Sequence, residues 1–186
     1  TDVIVQECWQ QSTYISQFGN SSVNTLRIFA YRTVVSGQIH IPAAIIRIGK
    51  DGSVVDNAHA GGVFVGINRE GKLQSIAHDT YGRTYQKFNG IDYKNNHFFI
   101  PNYNIVQNFV KKQSEKILQH HIMAWDIVLD RNDMPAICEV NVNGFGAWVY
   151  QFAIAPTFGE WTDEVIQYCK HKTQKKILLK LFKQSR

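Results

Sequence analysis

Cysteine is scarce in this chain: Cys8, Cys138 and Cys169 are the only three in 186 residues. An odd, scattered set excludes a disulfide framework and offers no zinc-type spacing, which fits a reducing, cytoplasmic setting. Cys8 and Cys138 lie in apolar strand-like runs and read as core fillers. No run of 18 apolar residues occurs, so no membrane span is expected. The seven histidines form no H-x-x-x-H spacing, and the adjacent His120 and His121 cannot share one face of a helix or strand. No Ser-His-Asp or Cys-His constellation, internal repeat or low-complexity segment is visible. A basic start followed by an apolar run and a small-residue cleavage site is also lacking. Thr1 opens the chain without Met, and residues 2–9 (DVIVQECW) already alternate like a strand. The chain is therefore expected to be a fragment of a longer protein.

Charge is unevenly distributed. Residues 170–186 hold seven Lys or Arg and no acid, leaving 13 basic and 15 acidic residues in the rest. The basic character belongs to the tail, and the body is not expected to bind nucleic acid. Ile177, Leu178, Leu181 and Phe182 stand among the tail lysines, so residues 171–186 read as a basic amphipathic helix. Such a helix either packs on the body or lies on an anionic membrane. Hydrophobic residues make up 44% of the chain, enough for a substantial core.

Hydrophobic periodicity orders the elements. Residues 10–22 read as a polar loop. Residues 23–34 and 38–49 read as long strands about Ser36–Gly37, with Pro42 marking an edge or a bulge. Residues 53–62 form a polar loop ending in glycines, and 63–68 and 73–79 a second hairpin about Glu70–Gly71. Residues 80–101 are irregular and aromatic. Helical spacing runs from Asn104 to Gln119, with Asn102 or Asn104 as cap. A third hairpin spans 123–130 and 135–142. Residues 144–159 are rich in glycine and aromatics, and Glu160–Lys172 looks helical. The order predicts an α+β fold, a mainly antiparallel sheet flanked by helices, with residues 1–170 as one lobe.

The third hairpin carries the most chemistry. Glu139 and Asn141 share a strand face, and an antiparallel return can lay Asp126 beside them. Three oxygen-bearing side chains suit a hard cation such as Mg2+. They would equally serve as the solvent face of an ordinary hairpin, but the apolar neighbours Ile127, Val128, Ile137, Val140 and Val142 favour a partnered set. The loop Asp-Asn-Ala-His-Ala-Gly-Gly at 56–62 lets backbone amides approach an anion. Arg27 and Arg47 each interrupt an apolar strand. They need either a carboxylate, with Asp126, Glu139 and Asp56 available, or a charged ligand. The aromatics Tyr81, Tyr85, Phe88, Tyr93, Phe145, Trp148 and Tyr150 could stack on a sugar or fill a core, and core is the favoured reading.

Taken in order, VIVQE (3–7), NTLRIF (24–29), VVDNAHAGG (54–62), WDIVL (125–129) and PAICEVNVN (135–143) resemble the C-terminal lobe of ATP-grasp enzymes. The likeness is closest to the sugar-transfer-associated group found with polysaccharide biosynthesis, and extends to glutathione synthetase and ribosomal-protein glutamate ligases. The resemblance implies ATP with Mg2+ (Mn2+ as the alternative) and activation of a carboxylate as an acyl-phosphate, captured by an amine or other nucleophile. It implies that the strand at Glu7 and Cys8 pairs with adenine and that Asn24 or Thr25 meets the ribose. Arg27 and Arg47 would lie by the reacting phosphates, with Asn57, Gly61 and Gly62 at the terminal ones. Asp126, Glu139 and Asn141 would hold the metal. Where ligase-like relatives carry an arginine two residues before the loop Asn, this chain has Val55. That departure leaves a catalytically degenerate nucleotide-binding scaffold as the second reading. The expected location is cytoplasmic, with peripheral contact at the inner membrane surface through 170–186 as an option.

Overall fold

The computed structural model describes Val3, residues 9–56 and residues 58–184, the side chains of 174–184 excepted. The expected strand at 2–9, and with it Glu7 and Cys8, as well as Asn57, lie outside the described residues. Among the described residues nine strands and four α-helices follow one another. Helix α1 (Thr13–Ser16) is a single turn inside the stretch expected to be loop, and Ser12 creates it by accepting from the amides of Tyr14 and Ile15. Strands β1 (Thr25–Arg32) and β2 (Ile39–Ile48) come next, then β3 (Val63–Ile67) and β4 (Leu73–His78). The aromatic segment contains the short strands β5 (Thr84–Tyr85), β6 (Lys87–Phe88) and β7 (Ile91–Asp92). Helix α2 (Tyr103–Glu115) precedes β8 (Ile122–Leu129) and β9 (Pro135–Asn141). Helices α3 (Trp148–Ala153) and α4 (Thr162–Gln184) complete the chain.

Among the described residues seven strands form one antiparallel sheet in the order β5-β4-β3-β2-β1-β8-β9, and β6 and β7 pair separately. The period-2 alternation of β1 sends Leu26, Ile28 and Ala30 to one face and Thr25, Arg27, Phe29 and Tyr31 to the other. The first face joins the main core with Ile46, Val65, Trp125 and Ile127, under Val106 and Val110 of α2. Trp125 donates its indole N–H to the Ser114 hydroxyl at 2.8 Å, which fixes α2 on β8. Arg32 donates to the carbonyl of Ser114, which also accepts from the Lys116 and Ile117 amides, and to that of Ile117 just past α2, tying the end of the helix to β1. The second face carries a smaller core of Phe29, Tyr31, Ala43, Ile45 and Phe64 under Val149, Tyr150 and Ala153 of α3.

Some sequence expectations hold and others are corrected. Asn102 precedes α2 with φ 51° but makes no side-chain cap, so neither it nor Asn104, already inside the helix, starts the helix that way. Pro42 sits where the β1–β2 register slips between Phe29 and Tyr31, and outside the part of β2 that pairs with β3, so it costs no ladder bond. Cys138 is exposed rather than a core filler, because the β8–β9 register slips between Asp126 and Ile127 and leaves it unopposed. Tyr93 and Tyr150 are core, but Tyr81 is exposed. Glu160–Lys172 and the tail form one helix, α4, whose residues 167–173 are exposed, so the described part leaves the body after its first turns. Among the described residues no helix is long and apolar enough to cross a membrane.

Candidate active site

The second face of the sheet lays the predicted residues in a row. Arg27 stands opposite Asp126, and Asp126 opposite Glu139; Thr25 stands opposite Arg47, one pair further along. Directly paired residues of an antiparallel sheet share a face, so register alone brings Arg27, Arg47, Asp126 and Glu139 together. Asn141 joins the same face, opposite Ala124. The side chains then connect. Arg27 grips both oxygens of Asp126 through Nε and Nη2, each at 2.8 Å. Arg47 places Nη1 3.5 Å from Asp126 and donates from Nη2 to Asp56 at 2.9 Å. Asp56 also accepts from the Thr25 backbone N–H and hydroxyl. Asp56 begins the glycine-ended loop, so this network fixes where that loop leaves the sheet.

Asp126 is only 2% exposed, and a carboxylate at that depth requires paired cations. Both arginines remain partly open, with 18% and 22% of their side chains exposed. Burial opposes the charged form of Arg27, but the Asp126 hydrogen bonds and charge outweigh it and raise its pKa further. Above this floor lies a cavity of about 540 Å3, lined by Arg27, Arg47, Asp56, Glu139, Val55, His59, Thr80 and Trp148. Its far wall is the Gly144–Gly146 turn and the start of α3, where Trp148 stands edge-on to Phe64 at 5.8 Å.

Thr25 and Asn24 do not present their side chains to this cavity. Asn24 is 1% exposed, its amide donating to the Gly19 and Ile15 carbonyls and accepting from Gly49 N–H. Thr25 is buried, held between Asp56 and Arg47 Nε. Both position the loop and the strand start rather than reach a sugar. Gly61 lies in the left-handed region at φ 88°, which a side chain would strain, and Gly62 is buried. The sequence does not mark Thr80, and it favours Trp148 as core, whereas Trp148 is exposed on the cavity wall; strand alternation cannot show that a later helix folds back over the same face.

The donor set fits a hard cation. Among the described residues no three His, Cys, Asp or Glu side chains form a metal cluster, so the third oxygen would have to come from an amide. Asn141 lies beside Glu139 on the same strand face, and its amide oxygen would be that ligand; its buried Nδ2 has no hydrogen-bond partner. Arg27 uses two of the roughly four lone-pair positions of the Asp126 carboxylate, leaving others for a metal.

A mainly antiparallel α+β lobe with an arginine–carboxylate floor under an open, ligand-sized cavity is the class these features define. Residues 1–165 match the model of the sugar-transfer associated ATP-grasp family, and the chain belongs to that family. ATP and nucleotide binding are properties of the ATP-grasp class. No curated protein and no solved structure matches the chain.

Proposed function

We propose that this chain forms the phosphate- and metal-binding lobe of an ATP-dependent ligase acting in polysaccharide or cell-surface glycan assembly. The observation that carries the reading is the linked set Arg27–Asp126–Arg47–Asp56 on the floor of a cavity that also contains Glu139. A substrate carboxylate oxygen would bond to the γ-phosphorus of ATP as the bond to the bridging oxygen breaks and ADP leaves. An amine or other nucleophile would then attack the acyl carbon and release inorganic phosphate. Arg27 and Arg47 neutralise and orient the transferring phosphoryl group, which is most of what such a transition state requires. Asp126, Glu139 and Asn141 hold Mg2+, or Mn2+ in its place, which supplies charge neutralisation at the phosphate oxygens when bound. Glu7 and Cys8 would pair with adenine through their backbone, and Asn57, Gly61 and Gly62 would meet the terminal phosphates.

One observation favours the second reading, a nucleotide-binding scaffold without catalysis. Val55 is exposed on the cavity wall, where ligase-like relatives place a cation. The cytoplasmic location and the peripheral membrane contact through 170–186 belong to the same proposal. Their support is the tail's seven uncompensated basic residues and the exposure of residues 169–173.

Titration calorimetry of ATP with and without Mg2+, on the full-length protein and its Glu139→Gln variant, tests the site. Binding is expected to require Mg2+ and to weaken at least about tenfold in the variant, since even an outer-shell partner of a metal is worth that much. Absence of binding in the wild type would remove the nucleotide site. Binding without ADP release over a panel of carboxylates would leave the scaffold.

A further inference from the structure

We infer that Tyr150 is a positioning residue of this site, its hydroxyl taking a hydrogen bond only when phosphate occupies the cavity; the inference rests on the nucleotide reading above. Tyr150 is wholly buried, and its hydroxyl has no hydrogen-bond partner. Buried tyrosine hydroxyls ordinarily find one. The ring lies on Phe29, with centroids 5.3 Å apart, and Phe29 follows Arg27 by two residues on the same strand face. Burial drives the phenol pKa well above its ordinary value, and Arg27, Asp126 and Arg47 all act on the hydroxyl electrostatically. It is an uncommitted donor whose ring packs on Phe29, two residues along the strand from Arg27.

The network has a reason to need one. In the free chain Arg27 spends Nε and Nη2 on Asp126, and Arg47 spends Nε and Nη2 on Thr25 and Asp56. Phosphate oxygens can use the remaining Nη1 donors, but drawing either guanidinium toward them would loosen its bonds to the carboxylates. On this reading the Tyr150 hydroxyl then supplies a hydrogen bond and holds the guanidinium–carboxylate geometry. Two further orphaned polar atoms accompany it on this side of the sheet: Thr80 Oγ1 in the cavity wall and Asn141 Nδ2. Tyr93 is a natural control. Its hydroxyl is also buried without a partner, but it belongs to the core on the opposite face.

The test compares Tyr150→Phe and Tyr93→Phe with wild type, by thermal melting without ligand and by calorimetry with MgATP and with Mg2+-tripolyphosphate. Both variants should melt at or above the wild-type temperature, because each loses an unpaired buried hydroxyl. Only Tyr150→Phe should lose affinity, by about tenfold or more for a hydrogen bond to a charged group. The same factor is expected for ATP and tripolyphosphate. Equal affinity of Tyr150→Phe and wild type would overturn the inference while leaving the nucleotide site standing. A lowered melting temperature of ligand-free Tyr150→Phe would also overturn it, by showing that the hydroxyl has a structural partner. No binding by wild type would overturn the nucleotide reading and this inference with it.

Discussion

Asp79 and His78, at the end of β4, show how neighbouring side chains tie stability to pH in opposite ways of paying for burial. Burial lowers the His78 pKa, and the Asp79 charge offsets this only in part. Burial alone would raise Asp79, but the Arg83 side chain and N–H, the Tyr85 hydroxyl and the Tyr81 N–H together hold it below its ordinary value. In both cases the unfolded chain binds the proton more readily, so stability rises with pH. The His78 contribution is complete above about pH 6.5 and is lost as pH falls below it; the Asp79 contribution follows below about pH 4. Urea melts from pH 8 to pH 3 should show two acid-side losses. His78→Gln should abolish the first and Asp79→Asn should reduce the second; an unaltered upper step in His78→Gln would show that another group causes it.

At the scale of the element, α3 is the part that builds the cavity wall, and its closeness depends on Gly66. Gly66 is opposite Ile45 on the ligand face of β3. A Cβ there would stand 2.4 Å from the Ala153 carbonyl and 2.9 Å from Ile154 and Gln74. Gly66→Ala should therefore lift α3 from the sheet and cost about 1–3 kcal/mol, measured by chemical denaturation, with a blue or red shift of Trp148 emission as the cavity wall moves. Unchanged stability and emission would mean that α3 adjusts freely and does not shape the cavity. The sequence marks residues 144–159 only as rich in glycine and aromatics. A six-residue helix is too short to show periodicity, and its position is set by the sheet under it. The β8–β9 hairpin is different. Alternation and turn residues predict both strands within a residue or so, and Asp130 closes the turn by accepting from the amides of Asn132 and Met134. The slip at Cys138 is invisible in the pattern, because an extra residue in a strand is chosen by the partner strand.

For the molecule as a whole, the sheet has two unlike faces, one closed by α2 and one only half covered by α3, and α4 leads away from both. Glu164 anchors α4 by accepting from the Tyr31 hydroxyl and the Val34 N–H, and Trp161 lies on His40 at 4.4 Å. Beyond Tyr168 the described side chains are exposed. A basic helix held at one end suits an anionic bilayer. Sedimentation with vesicles containing phosphatidylglycerol should pellet the protein at low salt, and deletion of residues 174–186 should abolish pelleting. Equal pelleting with and without those residues would exclude the tail as the contact.

What the sequence by itself determined is whatever depends on local pattern: the strand runs, the α2 stripe, the hairpin with Asp126, Glu139 and Asn141 on one side, and the demand of Arg27 and Arg47 for partners. Strand alternation assigns faces without knowing the neighbours, and an arginine inside an apolar run requires a counter-charge wherever the fold provides it. Only the tertiary structure decided which carboxylate each arginine takes, because that follows from the order β2-β1-β8-β9, in which residues about 100 positions apart become adjacent. It also decided that Asn24 and Thr25 are enclosed and that Tyr150 packs on Phe29, two residues from Arg27. These are consequences of how α1 and α3 close on the sheet, and close packing between elements distant in sequence leaves no periodic trace in either one.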